Sequence, residues 1–251
     1  MRWTRPLKTT FAAGSIATAL VTSGPSFFST VNPYPRATTG YDVSYPQCPG
    51  LVVAPDGAFG IVGVNGGKAF TYNPCLSREY KAAPSPPSLY INTGYAPTVY
   101  RKSISANCSS QSTAVTGTSE QTEAWAIGCS EAESSLAYAR RQGATKVAMW
   151  WLDVETANSW SETDLTLNRY AIQGAVSRLI DTGVPVGIYT ASFMWTAITG
   201  GNGTPTGNFT PTGIAADWVA AGNCNPPFTD SPVWLVQSVI DGIDRNFACP
   251  L

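Results

Sequence analysis

Histidine is absent from this chain. That removes Ser-His-Asp and Cys-His catalysis and the usual zinc sites, and leaves Asp, Glu, Tyr or Lys for any acid–base chemistry. Charge is scarce as well. Asp, Glu, Lys and Arg make up 12% of the 251 residues, against about 25% in a typical soluble domain. Basic residues do not predominate. The net charge is −1, and removal of a leader carrying Arg2, Arg5 and Lys8 leaves 12 basic against 16 acidic residues, or −4. A nucleic-acid partner favours a basic face, so none is expected, whereas a neutral glycan is compatible with this balance. No Cys-x-x-Cys occurs, which disfavours redox or metal roles for the cysteines, and no metal or cofactor is expected. A Gly-rich phosphate loop is missing too.

Long apolar runs are also lacking. The best candidate is residues 11–21, eleven apolar-leaning residues behind the basic head of Arg2, Arg5 and Lys8. This is too short to span a bilayer and has the form of a signal peptide. Residues 1–37 are therefore expected to be a signal peptide and a flexible lead-in containing Pro25, Pro33 and Pro35. Residues 38–251 are expected to form one secreted domain, a monomer without stable membrane insertion. The six cysteines are Cys48, Cys75, Cys108, Cys129, Cys224 and Cys249. An even number in an exported chain points to three disulfides. Six cysteines allow 15 pairings, of which pairing between sequence neighbours is the expectation here.

Hydrophobic content is 43%, that of a globular chain. Short β-branched and aromatic runs fall at 40–45, 59–65, 88–93, 146–155, 184–190, 214–219, 233–238 and 243–247. Helical stretches at 76–83, 119–142 and 163–182 lie between several of them. Alternating strands and helices argue for a parallel sheet with helices outside. Eight strands suggest closure into an irregular (β/α)8 TIM-type barrel, a single α/β domain, with little room for helices among the last three strands. An open doubly wound sheet is the alternative. Segments 94–118 and 200–213 read as long loops, either of which could border the barrel mouth.

The run from Lys146 to Glu155 reads as a buried strand ending in two carboxylates. Residues i and i+2 of a strand share a face, so Asp153 and Glu155 lie side by side, their backbones about 6–7 Å apart. Glycosidic cleavage uses one protonated and one ionised carboxyl, and mutual repulsion helps keep one of such a pair protonated. In a barrel of this kind the chemistry sits at the C-terminal ends of the strands. Asp42 lies on the first strand and Asp244 on the last, neighbours once the barrel closes. Trp151 has the parity of Asp153 and should face inward below it, while Trp150 should face the helices. Tyr189, Trp218 and Trp234 sit on later strands, and Trp160 and Trp195 just beyond strands. Flat rings with a polar edge suit sugar faces, although core packing is expected to account for about half of these aromatics.

Several segments resemble, in order, the motifs of glycoside hydrolase family 25, the Chalaropsis-type lysozymes. Gly40-Tyr41-Asp42-Val43-Ser44 with Gln47 resembles the family's opening strand, and Leu152-Asp153-Val154-Glu155 its fourth-strand motif. The segment from Val186 through Tyr189 to Phe193, followed by Trp195, resembles its fifth strand. Asp217-Trp218-Val219-Ala220, then Trp234 with Gln237, and finally Asp244-Arg245-Asn246-Phe247 resemble its later motifs. The resemblance implies cleavage of the β-1,4 bond after N-acetylmuramic acid in peptidoglycan. It makes Glu155 the general acid and places Asp153 beside it to stabilise charge or assist the substrate's N-acetyl group. Asp42 and Asp244 would hold substrate and tune the pair, and Tyr189 would line the pocket. This chain departs from the family at Tyr45-Pro46-Gln47, where a Trp is usual. It departs again at Val64-Asn65-Gly66-Gly67, which lacks a charged residue often found there, and at the third strand, Ser88 to Gly94. These departures mark a divergent, glycoside hydrolase-like branch. A non-catalytic glycan-binding barrel of the same fold is the second reading.

Overall fold

The structure, a computed structural model, describes residues 31–50 and 55–250. The apolar run at 11–21, and with it the expected signal peptide, lies outside the described residues. Eight strands close into a barrel in sequence order: β1 (Thr39–Val43), β2 (Gly60–Gly63), β3 (Ser88–Asn92), β4 (Trp150–Asp153), β5 (Val186–Thr190), β6 (Ala216–Ala220), β7 (Val233–Ile240) and β8 (Ile243–Ala248). Neighbours from β1 to β7 pair in parallel. β8 runs antiparallel to both β7 and β1.

That reversal is the form taken by the irregularity expected among the last strands. Asp241 and Gly242 link β7 to β8, with φ of 52° and 74°. Two successive positive-φ residues make the tight hairpin turn whose twist matches the strands, and Asp-Gly is among its preferred sequences. A two-residue link cannot accommodate a crossover helix, so β8 must return down the barrel.

Helices cover only part of the outside. They are α1 (Leu76–Ala82), α2 (Pro97–Tyr100), α3 (Ala106–Ser112), α4 (Ser119–Arg141), α5 (Leu165–Ile180) and α6 (Ser192–Thr199). Thr118 begins α4 with a capping box: its hydroxyl accepts from Gln121 N–H, and the Gln121 side chain accepts from Thr118 N–H at 2.9 Å. Asp164 caps α5 through Thr166 N–H at 2.9 Å. The two long helices cross closely, since a Cβ on Gly128 would lie 1.8 Å from the Ala171 carbonyl oxygen and one on Gly174 2.0 Å from that of Trp125.

The segment 94–118 is not a loop. It carries α2 and α3 and is fastened to α4 by the Cys108–Cys129 disulfide and by Ser105 N–H donating to Ser130 Oγ at 2.9 Å. Segment 200–213 packs on the outside of the barrel, where Phe209 stacks on Trp195. The other two disulfides are Cys48–Cys75 and Cys224–Cys249, so each cysteine joins its neighbour in sequence.

Side-chain alternation divides the core. Val43, Val62, Leu89, Ile91, Trp150, Leu152 and Ile188 point outward beneath the helices. Phe59, Ile61, Met149, Trp151, Trp218, Trp234 and Leu235 fill the inside. Tyr34 plugs the end where the parallel strands begin, its hydroxyl 2.6 Å from Ser88 Oγ and 2.7 Å from Trp151 Nε1. Tyr34 thus packs into the barrel from ahead of β1.

Candidate active site

At the opposite end the interior becomes polar. Asp42, Asn92, Asp153, Tyr189, Gln237 and Asp244 line a cavity of about 400 Å³, together with Glu155, Ser44, Tyr45, Gln47, Tyr90 and Trp218. Asp42, the last residue but one of β1, and Asp153, the last of β4, both have the inward parity. Glu155 lies two residues past Asp153 in a turn rather than on the strand, as Val154 and the residues after it leave the sheet. The Trp160 indole N–H fixes that turn by donating to the Glu155 carbonyl at 2.8 Å. Asp244 reaches the mouth because β8 is reversed, which places the start of β8 beside the end of β1.

The four carboxyls are held differently. Asp42 Oδ2 accepts from Gln237 Nε2 and Asn246 Nδ2, each at 2.8 Å. Burial, with Asp244 second, still pushes Asp42 up to about 7 against those donors. Asp153 Oδ2 accepts from Asn92 Nδ2, while its Oδ1 is buried without a partner. Burial, then the nearby Glu155 and Asp42, holds Asp153 well above the usual carboxylate range. Glu155 is raised by partial burial and by Asp244, and Asp244 by burial. Among the described residues, no Lys or Arg lines the cavity to offset this cluster. The physical result is a group of close carboxyls that cannot all ionise together near neutral pH.

Of the residues singled out from sequence, Asp42, Asp153, Glu155, Asp244, Tyr189 and Trp218 share the cavity. Trp218 forms part of its floor, gripped by Tyr189 with ring centroids 4.4 Å apart and by Trp151 at 5.5 Å. Trp151 and Trp234 do not line the cavity. Trp151 faces inward but is fully buried, its indole N–H spent on Tyr34, and Gly187 leaves room for its ring where a Cβ would lie 2.2 Å from it. Trp234 packs in the same lower core. Neither segment 94–118 nor 200–213 contributes a lining residue. Asp217 faces outward, where it accepts from Phe228 N–H, Thr229 N–H and Thr229 Oγ and ties down the segment before β7.

Asn92 and Tyr90 were not singled out, nor were Gln237 and Asn246 given roles in holding Asp42. The signal was available: Ser88, Tyr90 and Asn92 alternate along one strand, a polar series on its inward face. Among the described residues, no group of three or more His, Cys, Asp or Glu is arranged to hold a metal ion. Nor is any helix of these residues long and apolar enough to cross a membrane.

Residues 101–210 match the family model described as lysozyme-like protein 1. This stretch runs from the end of α2 through Asp153, Glu155 and Tyr189. No curated protein matches the chain. Among solved structures, the modular autolysin LytC from Streptococcus pneumoniae, in complex with a synthetic peptidoglycan ligand, aligns over 84% of this chain and 46% of its own at 13% identity and a TM-score of 0.45. This chain thus spans about half the length of LytC. An uncharacterized B. stearothermophilus protein aligns over 84% of this chain and 95% of its own at 15% identity and a TM-score of 0.41.

Proposed function

We propose that this chain, lysozyme-like over residues 101–210, is a secreted glycoside hydrolase that cleaves β-1,4 bonds of cell-wall peptidoglycan. The observation that carries the reading is the Asp153–Glu155 pair, two carboxyls with raised proton affinity in one cavity, with no Lys or Arg among its described lining residues. The pair keeps one proton where the other group ionises. Glu155, the outer and more exposed member, donates that proton to the departing glycosidic oxygen. Asp153, beneath it, supports the oxocarbenium-like sugar directly or by orienting the substrate's N-acetyl group. Asp42 and Asp244 hold sugar hydroxyls, and their charge keeps the proton affinity of the pair high. Tyr189 and Trp218 supply the aromatic wall and floor. Three disulfides suit an oxidising compartment, in keeping with export.

The test is release of new reducing ends from purified peptidoglycan by wild type and by Glu155→Gln. Loss of a general acid lowers the rate by about 10²–10⁴-fold, so wild-type release that collapses in the variant is the expected result. Absence of release by wild type across several walls at pH 4–8, with glycan binding retained, leaves a binding barrel in its place.

A further inference from the structure

A chain of buried polar side chains reaches Asp153 from outside the barrel. Glu131 lies on α4 with 1% of its surface exposed, where a helix facing a sheet normally presents an apolar residue. Its Oε1 accepts from Asn65 Nδ2 at 3.2 Å and from Ser135 Oγ at 3.4 Å. Asn65 follows β2 and is equally buried. Its amide grips the main chain of Asn92 on both sides: Oδ1 accepts from Asn92 N–H at 3.1 Å, and Nδ2 donates to the Asn92 carbonyl at 2.8 Å. The side chain thus supplies one more rung between the β2 and β3 ends. Asn92 Nδ2 in turn donates to Asp153 Oδ2.

A carboxyl without a cation is costly to bury in ionised form, and burial pushes Glu131 up to about 8 despite the donors around it. Glu131 Oε2 and the nearby Thr93 hydroxyl oxygen are also buried, and neither has a partner other than the other. A hydrogen bond between the two, with either as donor, satisfies both. The other titratable group near Glu131 is the Tyr100 phenol. Those near Asp153 are Glu155, Asp42, Tyr90 and Tyr189.

We propose that Asn65 and Glu131 are positioning residues for Asp153, fixing through Asn92 the orientation of its carboxyl group and the oxygen it leaves free. The inference rests on the reading of Asp153 and Glu155 as the reacting pair. An amide N–H is accepted by the unprotonated oxygen of a carboxyl. With Oδ2 engaged by Asn92, Oδ1, which has no partner inside the fold, is the oxygen left for the substrate or for the proton shared with Glu155. Glu131 keeps the Asn65 amide from turning over, and a turned amide would set donor against donor at Asn92 N–H.

The experiment follows the Asp153 carboxyl directly, by carbon-13 NMR titration of the full chain, alongside the pH profile of reducing-end release. Glu131→Met removes the acceptor but keeps the volume. The expected result is an Asp153 midpoint displaced upward by about one pH unit, because Asn92 no longer favours the ionised form. A fall of about 10- to 100-fold in kcat with little change in KM should accompany it. Glu131→Gln keeps the acceptor and should restore both values. A folded Glu131→Met with an unmoved Asp153 midpoint overturns the proposal. Should that variant not fold, Asn65→Ser, which cannot span both Asn92 groups, reads the same midpoint with the same two outcomes. In wild type the Asn92 side-chain amide resonance should titrate with Asp153 and exchange slowly, and a freely exchanging amide also overturns the proposal. If no form of the protein releases sugar, the hydrolase reading fails, while the titration still judges the relay.

Discussion

Asp42 and Asp244 stand directly opposite each other in the antiparallel β1–β8 ladder. Like charges at such positions are destabilising, and Asp42 is fully enclosed beside the amides of Gln237 and Asn246. The pair strains the fold whenever both are ionised. Stability is given up here to bring carboxyls to the barrel mouth, a pattern expected of sites that act rather than merely pack.

This relationship has a sign that thermal unfolding can read. Asp42 moves from an ordinary value of 3.8 to about 7 in the fold. A group with a raised folded value favours folding fully only below its unfolded value and loses that contribution as pH rises toward the folded one. Asp42→Asn should therefore raise the melting temperature at pH 8 and leave it little changed near pH 4. Equal effects at both pH values would show that Asp42 is not held protonated.

The same substitution should move the activity profile. The Asp42 charge adds to the raised proton affinity of Asp153, which shares its proton with Glu155. Its removal should shift the alkaline limb of kcat toward lower pH, measured on peptidoglycan over pH 4–9. A limb that stays in place would separate Asp42 from the reacting pair.

The hairpin turn can be tested on its own. Gly242 has φ of 74°, a conformation that costs a side chain about 1–2 kcal/mol. Gly242→Val should lower stability by about that amount or more and should impair activity through Asp244, the second residue of β8. A denaturant midpoint that does not move would mean the turn tolerates a branched residue.

Removal of the Cys108–Cys129 disulfide should separate stability from chemistry. The bridge closes a separation of 21 residues, and loops of that size gain about 3 kcal/mol from cross-linking. Replacing both cysteines by Ser should lower the urea midpoint accordingly while sparing kcat, because α3 contributes nothing to the cavity wall. A large loss of kcat in a folded double variant would tie this outer segment to the site.

Tyr189→Phe probes the mouth more gently. The Tyr189 hydroxyl donates to Gln237 Oε1 at 2.6 Å, and Gln237 then donates to Asp42. Deleting it should cost about 0.5–1.5 kcal/mol in chemical denaturation. No cost at all would mean that the hydroxyl is solvated in solution.

Local pattern was enough for much of this molecule. Strand alternation alone put Asp153 and Trp151 on the inward face and Trp150 beneath the helices, because a side chain's face depends only on its parity. The boundaries of α4 and α5 were legible for a similar reason, since capping residues such as Thr118 and Asp164 act within one turn. The (β/α)8 rhythm and the disulfide count followed from spacing and composition. Depth along the barrel is different. Trp151, Trp218 and Trp234 all point inward, yet only Trp218 meets the cavity, and that depends on strand stagger and on Tyr34 filling the far end. The direction of β8 was written in Asp241-Gly242 but became meaningful only once β7 and β8 were seen to pair. The relay from Glu131 through Asn65 and Asn92 to Asp153 joins four segments distant in sequence, and no local period encodes it. The sequence determined which residues could face the interior and, by lacking histidine, that any acid–base chemistry would fall to other side chains. Tertiary structure decided which of them meet, because barrel closure, stagger and the reversed last strand set depth and neighbours through contacts far apart in the chain.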